Sequence, residues 1–151
     1  MHKAIKRLSY ISAILTLAGC GGSGDLSFQA GEWAWDITIT RDGQDFLDQS
    51  TDCVTRSEGE AGFPELVRGF AVDYQCLTKS IDMEPGSNRA TLTIDNCVGG
   101  YVDGVFQLSR QSKKRFKVDG NFRYRANGQI ETRQLTTVAK HKSNTCRLQI
   151  D

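Results

Sequence analysis

Residues 115–125 read RFKVDGNFRYR and contain the most regular pattern of the chain. Apolar and polar residues alternate here, so that one side of an extended chain carries the apolar residues Phe116, Val118, Phe122 and Tyr124. The other side carries charged and amide residues, namely Lys117, Asp119, Asn121, Arg123 and Arg125. A period of two is typical of a β-strand with one buried face. The stretch therefore predicts a strand that lies between an apolar core and solvent.

The same pattern recurs on both sides of this strand, and turn residues separate its repeats. Asn127-Gly128 and Asp42-Gly43 predict tight hairpins, because the central positions of such turns need positive φ. Pro85-Gly86 predicts another turn, and Gly99-Gly100 predicts a break between strands. Further strands are predicted at 33–40, 45–54, 70–80, 90–97, 101–110, 129–140 and 146–150.

These elements predict an all-β fold, an antiparallel meander of seven or eight strands curled into a sandwich or barrel. The stretch 55–68 breaks the alternation at Gly59, Gly62 and Pro64 and leaves room for one short helix at 64–68. We expect residues 28–151 to form a single β domain, since this length suits one core better than two.

The first nineteen residues have the features of a secretory signal. Lys3, Lys6 and Arg7 give a positive start, and the uncharged stretch 10–18 is too short to cross a bilayer. Leu17-Ala18-Gly19-Cys20 then resembles the lipobox of bacterial lipoproteins, in which the cysteine becomes the lipid-bearing first residue of the mature protein. An ordinary secretory signal that happens to contain a cysteine is the alternative.

A lipobox implies that residues 1–19 are cleaved and that Cys20 carries fatty acyl chains such as palmitate, which anchor the protein to a membrane. Residues 20–27, with the run Gly21-Gly22-Ser23-Gly24, are expected to form a flexible tether. Gly21 stands where Gram-negative lipoproteins retained in the inner membrane have an acidic residue. The resemblance therefore implies an outer-membrane location in which the domain faces the periplasm.

Four cysteines remain after Cys20, namely Cys53, Cys76, Cys97 and Cys146. An even number in an exported chain favours two disulfide bonds, because the periplasm is oxidising. Four cysteines allow three pairings, and spacing alone does not select one. We favour Cys76–Cys97 with Cys53–Cys146, since the first bond would join neighbouring strands. The spacings contain no close C-x-x-C pair, so we expect no zinc site and no other metal.

Several short motifs together resemble a family of small bacterial envelope proteins, catalogued as domain of unknown function 3617. They are Gly31-Glu32-Trp33, Cys53-Val54-Thr55, Tyr74-Gln75-Cys76, Asn96-Cys97 and a last cysteine near the C-terminus. Their order covers nearly all of residues 28–146. The resemblance implies an exported all-β domain with disulfides, and it implies no established activity.

The charge of the mature chain is unevenly distributed. Residues 25–103 contain 15 acidic and 5 basic residues, whereas residues 104–151 contain 3 acidic and 11 basic ones. Such a dipolar domain lacks the general basic character of a nucleic-acid-binding protein. Seven basic residues lie in or beside two predicted strands, namely Arg110, Lys113, Lys114, Arg115, Lys117, Arg123 and Arg125. We interpret them as one surface for anionic lipid or an envelope protein; a solvated face balanced by the domain's own acidic half is the alternative.

The sequence also bears on two other functional classes, a carrier of a small ligand and an enzyme. Six aromatic residues could line a cavity for a small apolar ligand, or simply form the core: Trp33, Trp35, Phe106, Phe116, Phe122 and Tyr124. Enzymatic signals are weak, since the mature chain has one histidine, His141, which we interpret as a solvated surface residue. We therefore predict a non-enzymatic interaction module without a cofactor, and a carrier or sensor of a small apolar ligand as the alternative.

Overall fold

The computed structural model describes residues 24–147, so the predicted signal, Cys20 and the last four residues lie outside the described part. Seven strands and one helix follow in the order β1 (Gly31–Arg41), β2 (Gln44–Val54), α1 (Arg56–Val72), β3 (Cys76–Asp82), β4 (Arg89–Cys97), β5 (Tyr101–Ser112), β6 (Arg115–Ala126) and β7 (Gln129–Ser143). The all-β class is confirmed, and RFKVDGNFRYR lies within β6.

All seven strands belong to one antiparallel sheet with the order β2-β1-β7-β6-β5-β4-β3. Strands β3 to β7 form the predicted meander, and the β1–β2 hairpin is added beside β7. The sheet is not closed into a barrel, because β2 and β3 are its two edges. The predicted hairpin turns are present, with φ of 51° and 73° at Asp42-Gly43 and 52° and 78° at Asn127-Gly128.

Helix α1 is much longer than the short helix predicted at 64–68, and its start was missed. A capping box begins it: the Thr55 side chain accepts a hydrogen bond from the Glu58 N–H, and the Glu58 carboxylate accepts one from the Thr55 N–H. This arrangement satisfies two N–H groups that a helix start leaves unpaired. Gly62, with φ of 72°, kinks the helix, and Pro64 lies just after the kink. Gly62 therefore interrupts the helix, and α1 consists of two helical stretches joined at this kink.

The strand predicted at 70–80 is wrong in its first half, because α1 extends to Val72 and β3 begins only at Cys76. The apolar residues Phe63, Val67 and Ala71 recur at a spacing of four and are buried. That spacing places them on one face of a helix. At the other end of the chain, Cys146 and Arg147 are not in a strand, and the rest of the strand predicted at 146–150 lies outside the described residues.

The core lies between α1 and one face of the sheet, called here the inner face. Phe63 of α1 contacts Phe116 of β6 with ring centroids 6.1 Å apart, and Phe70 contacts Phe106 of β5 at 6.0 Å. The ring of Phe106 occupies the space above Gly120 of β6, where any Cβ would overlap it. The inner face is therefore packed so closely that a side chain at Gly120 would force the Phe106 ring to move.

The first described residues are bound into the domain rather than extended away from it. The Phe28 N–H donates to the Gly59 carbonyl at 2.8 Å, and the Phe63 N–H donates to the Leu26 carbonyl at 3.0 Å. The Gln29 N–H donates to the Lys113 carbonyl at 2.8 Å. The folded part thus includes Leu26, two residues before the predicted domain boundary at 28.

Candidate interaction surface

The sheet has two ends, and the predicted basic surface is divided between them. One end, called here the tether end, contains residues 24–30 and the β5–β6 turn Lys113-Lys114. The opposite end, called the far end, contains the β6–β7 turn Asn127-Gly128. Arg115 is the first residue of β6, and Arg125 is its last but one. At about 3.3 Å per residue these two are about 33 Å apart.

Arg115, Lys117, Arg123 and Arg125 lie on the same outward face of β6, as predicted, but they are spread along the length of the strand and do not form one compact cluster. Arg123 also donates through Nε to both oxygens of Asp103 on β5, at 2.9 and 3.0 Å. The guanidinium holds the pKa of Asp103 below its usual range. Register explains this pairing, because Asp103 and Arg123 are direct cross-strand partners.

Arg110 belongs to neither end of the outer surface, because it lies on the inner face opposite Phe116. Its Nε and Nη2 donate to the Ser27 carbonyl at 3.1 and 2.8 Å. Its guanidinium also lies over the Phe28 ring, 5.6 Å from the centroid. Arg110 therefore fixes the N-terminal segment to the sheet.

Lys113 and Lys114 form the turn that lies against the first described residues. The Lys113 ammonium pairs with Asp25 at 2.5 Å, and this hydrogen bond is the main cause that lowers the pKa of Asp25. The Lys114 carbonyl accepts from the His141 N–H at 3.0 Å, which joins the turn to β7. The basic turn is thus held beside the point where the chain enters the domain.

Two basic residues that sequence reasoning did not include enlarge the basic group at this end. Lys140 of β7 is the direct cross-strand partner of Arg115, and Lys142 follows two residues later. Like charges placed directly opposite one another destabilise a sheet. The two-residue turn at 127–128 fixes this register, so the Asn-Gly signal could have revealed the pair.

We call Lys113, Lys114, Arg115, Lys140 and Lys142 the cationic corner. Asp25 pairs with Lys113, and Asp36 pairs with Lys140 at 3.3 Å, which lowers the pKa of Asp36. Within residues 24–147, Lys114, Arg115 and Lys142 have no carboxylate within 4.0 Å. All three are exposed. Lys117, the remaining member of the predicted cluster, pairs with Asp119 at 2.8 Å.

A shallow groove of about 270 Å³ lies beside the corner on the outer face. The groove is lined by residues of β1, β2 and β7, namely Ala34, Trp35, Asp36, Gln49, Ser50, Thr51 and Lys142. Cross-strand pairing of Ala34 with Thr51, and of Asp36 with Gln49, aligns these residues on one face. The groove's lining is about evenly polar and apolar, and Lys142 is shared between the groove and the corner.

His141 was interpreted as a solvated residue, and this is wrong. Its Nε2 lies 3.1 Å from the Ala30 carbonyl, and its ring packs edge-on against Trp33 at 5.9 Å. The side chain is half-buried because His141 is the direct cross-strand partner of the buried Trp33. His141 thus helps to hold the tether end together.

Both disulfides have the favoured pairing. Cys76 and Cys97 are direct cross-strand partners on β3 and β4, and their bond fixes one edge of the sheet. Cys53 of β2 is bonded to Cys146, with the two Cα atoms 5.6 Å apart. This second bond holds the C-terminal segment to the other edge.

The six aromatic residues considered for a cavity pack against one another or against the core. Trp33, Phe106, Phe116 and Phe122 are almost completely buried, whereas Trp35 and Tyr124 are half-buried. Phe106 stacks on Phe122 at 6.0 Å, and Trp35 meets Phe116 edge-on at 6.2 Å. These contacts favour the core interpretation over a ligand cavity.

Comparison with protein families, with curated proteins and with solved structures finds no match for this chain. The resemblance to domain family 3617 therefore stays a prediction. Over residues 24–147, no helix combines the length and the apolar character that crossing a bilayer requires. Cys20 lies outside the described residues, so its acylation also stays a prediction.

Proposed function

We propose that this chain is an exported lipoprotein, anchored through acylated Cys20 to the outer membrane and facing the periplasm, whose β domain is a non-enzymatic interaction module. The attachment of residues 24–30 to the domain is the main support. Five residue steps separate Cys20 from Asp25, which spans at most about 18 Å. An anchor on Cys20 would therefore hold the tether end close to the membrane.

The two disulfides support the extracytoplasmic part of the proposal. Cys53–Cys146 and Cys76–Cys97 use every cysteine of the described residues. Disulfides form and persist in oxidising compartments such as the periplasm and are rare in the bacterial cytosol. An export signal at residues 1–19 would deliver the chain to such a compartment.

The cationic corner supports the interaction part. Lys114, Arg115 and Lys142 have no carboxylate within 4.0 Å among the described residues, although Arg115 donates to the Gln111 side chain, so their charges are available to an acidic partner. No observation in residues 24–147 favours the apolar carrier specifically, because the aromatic residues proposed to line its cavity pack against one another or the core.

Membrane retention of the full precursor in a bacterial host tests the proposal. We expect the protein to sediment with membranes and mass spectrometry of its N-terminal peptide to show acylated Cys20. In a high-salt extract, where ionic contacts with lipid are screened, Cys20→Ser should release the protein from the envelope, while Cys76→Ser should remain with the membrane. An N-terminal peptide that begins elsewhere, or a Cys20 without acyl chains, would refute the anchor.

A further inference from the structure

We propose that the cationic corner binds the phosphate-bearing headgroups of anionic lipids in the membrane that holds the anchor, so that the domain rests on the bilayer through its tether end. This inference names the partner of the module and rests on the proposed function. It concerns Lys113, Lys114, Arg115, Lys140 and Lys142, of which three have no carboxylate within 4.0 Å among the described residues.

Position is the first argument. The Lys113-Lys114 turn contacts the first described residues through the Asp25 ion pair and the Gln29 N–H. Asp25 is five residue steps from Cys20, at most about 18 Å when extended. The corner is therefore within reach of the headgroups whenever Cys20 is anchored, whereas Arg125 at the far end is about 33 Å further along β6.

Charge is the second argument. The five cations of the corner pair with two carboxylates, Asp25 and Asp36, so that among residues 24–147 three positive charges have no carboxylate within 4.0 Å. Arg115 and Lys140 are direct cross-strand neighbours, which costs stability in the isolated domain. A layer of phosphates would relieve that repulsion, since it supplies anions to both side chains at once.

Orientation is the third argument, and it selects lipid over an acidic protein. Once Cys20 is anchored, the short tether keeps the corner next to the headgroups. The corner therefore meets them at a high effective concentration, unlike a protein that must diffuse to the domain. Each Lys or Arg near an anionic surface contributes roughly a fivefold gain in binding. Several weak contacts are therefore enough to set the orientation of an anchored domain.

Vesicle binding by the chain from residue 20 onward, carrying Cys20→Ser, tests the inference without the anchor. This chain contains the described core and both disulfides. We expect it to bind vesicles that contain about one third phosphatidylglycerol and not vesicles of phosphatidylcholine, with affinity that falls as salt is raised. Substitution of Lys114, Arg115 and Lys142 by Ser should weaken binding about 100-fold, at roughly fivefold per charge.

The matched control removes the same number of charges from elsewhere on the surface, namely Arg56, Arg68 and Arg125. This control should bind nearly as well as the parent, and both variants should keep the parent's melting temperature within a few degrees. Equal losses in the two triple variants would overturn the inference, since general charge attraction would then suffice. Failure of the unsubstituted chain from residue 20 to bind anionic vesicles at low salt would overturn the inference as well.

Two further readouts separate the lipid from other partners and from the anchor. Tighter binding to polyglutamate than to anionic vesicles would overturn the lipid assignment in favour of an acidic peptide. Acylation of Cys20 is measured independently by mass spectrometry of the full precursor. An acylated protein whose corner does not bind lipid would therefore refute only this inference. An unacylated protein that binds the vesicles would refute the anchor and the tethered orientation, and would leave the headgroup contact standing.

Discussion

Replacing Arg110 by Met tests whether the N-terminal segment is an integral part of the domain. The substitution removes two hydrogen bonds to the Ser27 carbonyl, at 3.1 and 2.8 Å, and the contact of the guanidinium with the Phe28 ring. Met retains most of the apolar stem, so the change is chiefly one of charge and hydrogen bonding.

The expected loss follows from these contacts. Hydrogen bonds from a charged donor contribute about 1.5–3 kcal/mol, and a cation above an aromatic ring contributes about 0.5–1 kcal/mol when exposed. Water can reach part of the half-buried Ser27 and recover some of this. We therefore expect Arg110→Met to lower the free energy of unfolding by about 2 kcal/mol, measured by urea denaturation.

Hydrogen exchange locates the effect. The amides of Phe28 and Gln29 donate to Gly59 and Lys113, and their exchange should accelerate in Arg110→Met more than that of the central strands. The exposed Arg125 provides the control, because Arg125→Met should change stability by less than about 0.5 kcal/mol. A similarly small loss for Arg110→Met, with unchanged exchange at Phe28, would refute the attachment of this segment.

Three other changes test the packing, the ion pairs and the disulfides. Gly120→Ala places a methyl group in the space occupied by the Phe106 ring and should cost about 1–3 kcal/mol in thermal unfolding; an unchanged melting temperature would contradict this packing. The pKa of Asp103 is lowered by its guanidinium partner on β6, so its contribution to stability is present above about pH 4 and is lost as pH falls through the lowered pKa. The difference in unfolding free energy between Asp103→Asn and the parent should therefore shrink as pH falls below about 4, and a difference that stays constant with pH would exclude the ion pair as its cause. Replacing Cys53 and Cys146 by Ser opens a loop of 93 residues and should cost about 4 kcal/mol in urea denaturation, whereas a loss below about 1 kcal/mol would show that the bond adds little.

Strand positions could be predicted from the sequence wherever side chains alternate between core and solvent. The β6 pattern is confirmed residue by residue, because Phe116, Val118 and Phe122 are buried while Arg123 and Arg125 are exposed. Hairpin turns can be predicted equally well, since positive φ restricts the residues that can occupy them. Local rules are sufficient for these features.

Helix α1 could not be predicted correctly from alternation, although its signals are present. Thr55 and Glu58 have the spacing of a capping box, and Phe63 and Val67 have helical spacing. Gly62 does interrupt the helix, but the reason that glycine is needed there depends on tertiary structure: a Cβ would lie 2.6 Å from the Leu26 carbonyl oxygen. Such a requirement cannot be inferred from neighbouring residues alone.

The candidate surface could be predicted only in part, because clusters in the sequence and clusters in the fold are different. Arg110, Arg115 and Arg123 are close together in the sequence, yet the fold separates them. Arg110 lies on the inner face, Arg115 at the tether end and Arg123 toward the far end. Lys140 is distant in sequence but directly opposite Arg115. The turn at 127–128 fixes which residues of β6 and β7 face each other. Counting back from this turn in the sequence would have predicted the Arg115–Lys140 pair, whereas counting basic residues along the chain does not.

The register at the cationic corner bears on whether the corner has an external partner. Between β5 and β6, register places Asp103 directly against Arg123, and the two side chains pair. At the corner, register places Arg115 against Lys140, an arrangement that weakens the isolated domain. A headgroup layer beside the tether end would offset this repulsion by supplying anions to both side chains. If the like-charge pair serves that contact, Arg115→Glu should stabilise the domain in solution, measured by thermal unfolding, and at the same time weaken its binding to anionic vesicles. Loss of both stability and binding would instead assign Arg115 a structural role.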